Sequence, residues 1–263
     1  MVITTAELTS FIGALLWPLM RIGAMMGVAP VLGSAMVPVR LRIALALALT
    51  LLLFPVLPPM PAVEPLSASG LVISAQQVVI GLAMGFALRL VFSAMTVAGQ
   101  TIAISMGLGF ASTIDPQNGV QVPVVSQLYV ILATLLFLVL NGHLLLIEIV
   151  AGSFTSLPVA VDGMTRQGLW HLVGWGSEMF AGAMLVAMPI VGSILLLNIS
   201  FGVITRAAPQ LNIFAVGFPL TILMGFVVVW LALPGVATQF ERLLEAGFGL
   251  VQQMAAPETA AGG

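Results

Sequence analysis

Gly107-Leu108-Gly109-Phe110-Ala111-Ser112-Thr113-Ile114-Asp115-Pro116-Gln117-Asn118-Gly119 interrupts two long apolar runs in a chain with almost no charge elsewhere. Pro116 lacks an amide hydrogen and restricts Asp115, Gly119 supplies backbone freedom, and Gln117, Asn118 and Gln121 bring polar groups to the turn. This chemistry predicts a compact loop that breaks a helix. In contact with lipid its backbone groups would lack partners, so the loop requires a protein-buried or aqueous place. Two readings fit: a tight turn at the membrane surface, or a plug across a transport path. The second is favoured because Ser112, Thr113, Ser126 and Gln127 continue the polar stripe into the neighbouring segments.

The surroundings of the break are oil. Of 263 residues, 60% are hydrophobic and 6% charged, with a mean hydropathy of +1.21, whereas an ordinary soluble domain is about 25% charged. The composition is that of an integral membrane protein. Uncharged runs cover 43–63, 65–88, 90–114, 116–147, 179–205 and 207–240, and the run 8–39 is broken only by Arg21. Each can hold a helix of about 20 residues crossing the hydrocarbon layer. Continuous runs of this kind fit helices rather than the alternating strands of a barrel. The expected fold is all-α, with six or seven apolar helical segments and a central broken-helix loop. The first segment lacks a basic beginning and continues past Arg21 into more membrane-like sequence, so it reads as part of the fold and not as a secretory signal.

Seven spans at approximately 11–32, 43–61, 66–88, 90–110, 122–147, 180–204 and 211–233, with the N-terminus outside, place Arg40, Arg42, Arg89, Arg166 and Arg242 in the cytoplasm against Arg206. That asymmetry predicts a cytoplasmic C-terminus. The segments flanking Asp115-Pro116 can instead form a deep hairpin that does not cross. Residues 148–179, with Glu148, Asp162, Arg166, His171 and Glu178, form the best internal boundary, and Trp170 and Trp175 mark it as interfacial. No separate soluble domain is expected. One domain over 1–254 and a flexible tail over 255–263 describe the chain.

Other residues carry paired readings. Gly81 and Gly85 make a small face at i,i+4, suited to ordinary helix packing or to docking another subunit. Arg21 and Arg89 either snorkel to an interface or supply charge to a pore. Asn141-Gly142-His143 breaks a helical period, and His143 and Glu148, five residues apart, do not stack as a proton relay would need. Asn198 and Asn212, around Pro209, suit helix crosslinking or capping, or direct contact with a substrate. Met106 offers a deformable seal or plain packing.

Enzyme signatures are thin. The two histidines, His143 and His171, lie outside a His-Glu-x-x-His pattern, there is no cysteine, and the absence of lysine excludes a phosphate-binding Gly-Lys-Ser/Thr loop. No cofactor or metal is expected. A net charge of −2 supplies no field for a nucleic-acid backbone. A small-solute transporter also uses polar residues and broken helices, and a membrane scaffold would use the loop only to join helices.

Gly109-Phe110-Ala111-Ser112-Thr113-Ile114-Asp115-Pro116-Gln117-Asn118-Gly119, followed by Pro123 and Ser126-Gln127-Leu128, together with Arg206-Ala207-Ala208-Pro209-Gln210-Leu211-Asn212-Ile213-Phe214-Ala215-Val216-Gly217-Phe218-Pro219, closely resembles the FliR family of flagellar biosynthetic proteins over about residues 6–250. The resemblance implies a non-enzymatic subunit of the type III export gate, in the bacterial inner membrane at the flagellar basal body. It implies FliP and FliQ as close partners, FlhB and other export-apparatus proteins as further ones, and unfolded flagellar proteins as cargo. A related injectisome subunit is the alternative. It also implies an assembly of helical hairpins that lifts apolar helices partly out of the lipid plane. Carried onto this chain, the family's plug corresponds to Gly107–Pro123, with Gly107, Gly109, Ser112, Asp115, Pro116, Gln117, Asn118, Gly119, Gln121 and Pro123 in it and Met106 and Phe110 at its edge. Arg206, Asn212 and Phe214 fall in the second signature and suit assembly, as Gly81 and Gly85 do.

Overall fold

The computed structural model describes residues 5–109, 112–114, 121–207 and 213–255. Seven α-helices follow one another among them: α1 (Thr5–Val28), α2 (Val39–Leu53), α3 (Ala68–Ser105), α4 (Val124–Val139), α5 (Gly142–Ser156), α6 (Arg166–Ala207) and α7 (Ile213–Ala255). The sole strands described, β1 (Ser112–Ile114) and β2 (Gln121–Pro123), pair antiparallel with Ser112 opposite Pro123 and Ile114 opposite Gln121. The expected all-α membrane fold is observed.

The segments are divided differently from the seven spans read off the charges. The expected boundary at Arg89 is absent, and α3 runs through it as one helix of 38 residues. Arginine is a good helix former, so a charge alone does not end a helix that lacks glycine or proline punctuation there. The run 122–147 is broken instead, into α4 and α5, which are bent by 65°. Asn141 sits between them in the left-handed conformation, at φ 55° and ψ 27°, one of the few backbone shapes that asparagine adopts more readily than most residues. Four helices are long and apolar enough to cross a membrane, or up to five if the bent pair counts as one.

Two compact units interleave along the chain. The first comprises residues 1–90, 138–176 and 246–263. Its centre is Arg21, which is fully buried. The guanidinium donates from Nε and Nη2 to Gln77 Oε1, from Nη1 to the Ser153 carbonyl at 2.8 Å and Oγ at 3.0 Å, and from Nη2 to the Leu157 carbonyl at 2.9 Å. Its Cζ lies 4.2 Å from the centroid of the Phe154 ring. These acceptors are neutral, and two are carbonyls at the C-terminal end of α5, where orphan groups and the helix dipole favour a cation. Arg21 therefore neither snorkels nor lines a path; it ties α1, α3 and α5 together.

The glycine face of α3 meets α1 of the same chain. A Cβ on Gly81 would run into the Arg21 carbonyl, and one on Gly85 would stand 2.6 Å from the Met25 carbonyl. Backbone contact of this closeness is what small residues permit between apolar helices.

The second unit comprises residues 91–137 and 177–245. Phe92 of α3 stands edge-on to Phe137 of α4 and to Phe240 of α7, both at 5.7 Å between centroids. Such pairs add about 0.5–1.5 kcal/mol each beyond area burial. Thr221 of α7 donates to Asn198 Oδ1 of α6 at 3.3 Å, so Asn198 does crosslink helices.

Candidate functional site

The break in the sequence lies in this second unit, and its two ends are built by different devices. α3 stops where Gly107 takes φ 78°. The Leu108 N–H donates to the Ala103 carbonyl at 2.8 Å and the Gly107 N–H to the Ile104 carbonyl at 3.0 Å. This pair of bonds with a left-handed glycine is the Schellman termination, which satisfies the last carbonyls and turns the chain sharply away. The returning chain enters α4 directly from β2. There Ser126 is fully buried and its Oγ donates to the Thr96 carbonyl at 3.1 Å. A Cβ on Gly99 would lie 2.5 Å from Ser126 Cα, so α3 and α4 cross with their backbones almost touching.

The α3 end is also held from α7. Met106 is 1% exposed and lies over Gly225, where a Cβ would stand 2.7 Å from Met106 Cε and 2.9 Å from Cγ. A Cβ on Gly107 would stand 2.7 Å from Cε2 of Phe218. The sequence reading missed Phe218 and Gly225. The available signal was weak: Gly225 is one of several glycines in α7, which also contains Pro219 and Pro234.

Of the residues expected in the plug, Met106 and Gly107 form the turn that terminates α3, Gly109 follows it with open space around its α-carbon, Ser112 belongs to β1, and Gln121 and Pro123 belong to β2. Gln121 is exposed and Pro123 buried. Phe110, Asp115, Pro116, Gln117, Asn118 and Gly119 lie outside the described residues, as do Asn212 and the tail beyond 255. Arg206, in the last turn of α6, is exposed, and Phe214 falls in the first turn of α7. The polar stripe is not continuous: Ser126 faces α3, while Gln127 is half-buried with its Oε1 lacking a hydrogen-bond partner. Among the described residues no group of three or more His, Asp or Glu could hold a metal ion.

An all-α membrane chain whose 38-residue third helix stops at a short strand-paired break is matched, over residues 12–247, by the family model of bacterial export proteins, family 1. The chain is 35% identical to the flagellar biosynthetic protein FliR of Escherichia coli (strain K12), covering 95% of each chain. It is 35% identical to that of Pectobacterium carotovorum subsp. carotovorum over 93% of this chain and 94% of the relative, and 30% identical to that of Bacillus subtilis (strain 168) over 82% and 84%. The chain belongs to the FliR family of bacterial export proteins.

Proposed function

We propose that this chain is a non-enzymatic subunit of the flagellar type III export gate, helping to form and close a conduit for unfolded flagellar proteins across the inner membrane. The observation that carries this reading is family likeness along almost the whole length of both chains, 95% of each for the Escherichia coli relative. FliP-like and FliQ-like proteins are the close partners, FlhB and other export-apparatus proteins the further ones. Arg206, Asn212 and Phe214 serve that assembly, and Gly81 and Gly85 contribute to it by keeping α1 tight on α3. A cytoplasmic C-terminus is part of this reading.

The segment Gly107–Pro123 closes the path between substrate passages. What supports this is its position between two anchored helix ends together with the polar character of its sequence. The experiment has two parts. Purification from membranes in mild detergent recovers the chain with FliP-like and FliQ-like proteins; exclusive monomers under crosslinking that captures other stable assemblies would end the gate reading. Shortening residues 112–119 raises ion conductance of reconstituted gates while intact complexes are still recovered. Unchanged resting leak and unchanged substrate-induced opening in such complexes would remove the closing role from this segment.

A further inference from the structure

Gly225 and Phe218 of α7 are seven residues apart, two turns along one helical face, and they touch consecutive residues at the end of α3. Met106 fills the bare backbone at Gly225, and the Phe218 ring covers Gly107. We infer that Phe218 and Gly225 are positioning residues: they seat the C-terminal end of α3, and Met106 is the anchor in that seat rather than a seal facing the path. The inference rests on the reading of 107–123 as the closing segment.

The Schellman termination fixes the direction in which the chain leaves α3 relative to the helix, but it does not fix the helix end in space. Contact with α7 does. Methionine is flexible enough to fill an irregular gap, and here the gap exists because residue 225 has no side chain, so added bulk there must push Met106 aside. Phe218 is different, being 50% exposed. Trimming it opens no core cavity, so its loss tests placement of the helix end more than stability of the fold. The returning end is fixed independently by Ser126 and Gly99 on α3, which leaves the α7 contact as the adjustable post.

The test uses gates assembled with their partners and reconstituted in liposomes, with ion leak and recovery of intact complexes measured together. Phe218→Ala raises the resting leak several-fold at unchanged recovery, and Phe218→Leu restores most of the seal. Gly225→Leu also leaks, and adding Met106→Ala, which vacates the volume, reverses that leak; general destabilisation would not be cured by a second truncation. Should the Gly225→Leu chain fail to assemble, the pair M106C/G225C replaces it. The chain has no native cysteine, and since a Cβ added at position 225 would stand 2.9 Å from Met106 Cγ, the two Cβ atoms are no more than roughly 4.5 Å apart, the upper end of what a disulfide accepts. The reduced pair leaks and the oxidised pair seals. If Phe218→Ala and the reduced pair seal as well as the parent while the shortened 112–119 loop leaks, the seat is overturned and the closing segment stands. If the shortened loop is also silent, the reading of 107–123 falls and takes the seat with it.

Discussion

Arg21 brings a full charge into the interior of the first unit without a carboxylate among its described acceptors. What holds it is a set of oxygens, each able to accept a charge-assisted hydrogen bond worth about 1.5–3 kcal/mol net, and the Phe154 ring face. Arg21→Ala leaves Gln77 and the end of α5 without their donor and is expected to cost about 3 kcal/mol or more, read as a lower thermal midpoint of the purified assembly. Arg21→Lys recovers little, because one ammonium cannot reach Gln77, Ser153 and Leu157 at once as a planar fork does. Gly81→Ala presses a methyl group against the Arg21 carbonyl and is expected to cost about 1–3 kcal/mol in the same measurement. The partners of Arg21 were not legible from sequence, which offered snorkelling or a pore charge for it, whereas helix packing was already a reading of Gly81 and Gly85. The partner lies 132 residues away, and local pattern carries no information about contacts of that range. Gly107 is closer to legible: a helix end written by a glycine is local chemistry, and although the sequence reading ran its span to 110, it began the break at Gly107.

Among the elements, the bend between α4 and α5 depends on one backbone conformation. Asn141→Gly is expected to be near neutral, since glycine occupies the left-handed region without penalty. Asn141→Val forces a β-branched side chain into it at about 1–2 kcal/mol, and reduced yield of folded complex in detergent measures the loss. The sequence marked Asn141-Gly142-His143 as an interruption, and the structure turns the chain there. It also marked Arg89 as an end, and there α3 continues. The difference is physical: asparagine and glycine change what the backbone can do, whereas arginine changes only what the side chain must meet. The β1–β2 pairing was illegible for a related reason. Three residues on each side are too few for a period to declare itself, and the Asp-Pro-x-Asn-Gly stretch predicts a turn without saying what flanks it.

On the scale of the whole chain, length governs. At 1.5 Å per residue the 38 residues of α3 extend about 57 Å, nearly twice the roughly 30 Å of bilayer hydrocarbon. A tilt within the usual range of 0–40° does not absorb the excess. Neither α6, with 42 residues, nor α7, with 43, is shorter. Large apolar side chains nevertheless remain open on them, among them Leu196 at 67%, Val203 at 65% and Trp230 at 68%. On the export-gate reading, protein neighbours cover part of what lipid cannot. Single cysteines at Leu196, Val203 and Trp230 are expected to resist a water-soluble maleimide in the assembled gate and to react when the chain is made without its partners; equal reactivity in both states would count against protein cover. The same surplus of apolar surface bears on the life of the chain in the cell. A subunit whose surface is completed only by others is an orphan until they arrive, open to surveillance by membrane proteases and prone to stick to itself. Its supply is then best matched to that of its neighbours at synthesis, because each unmatched copy is waste to be cleared.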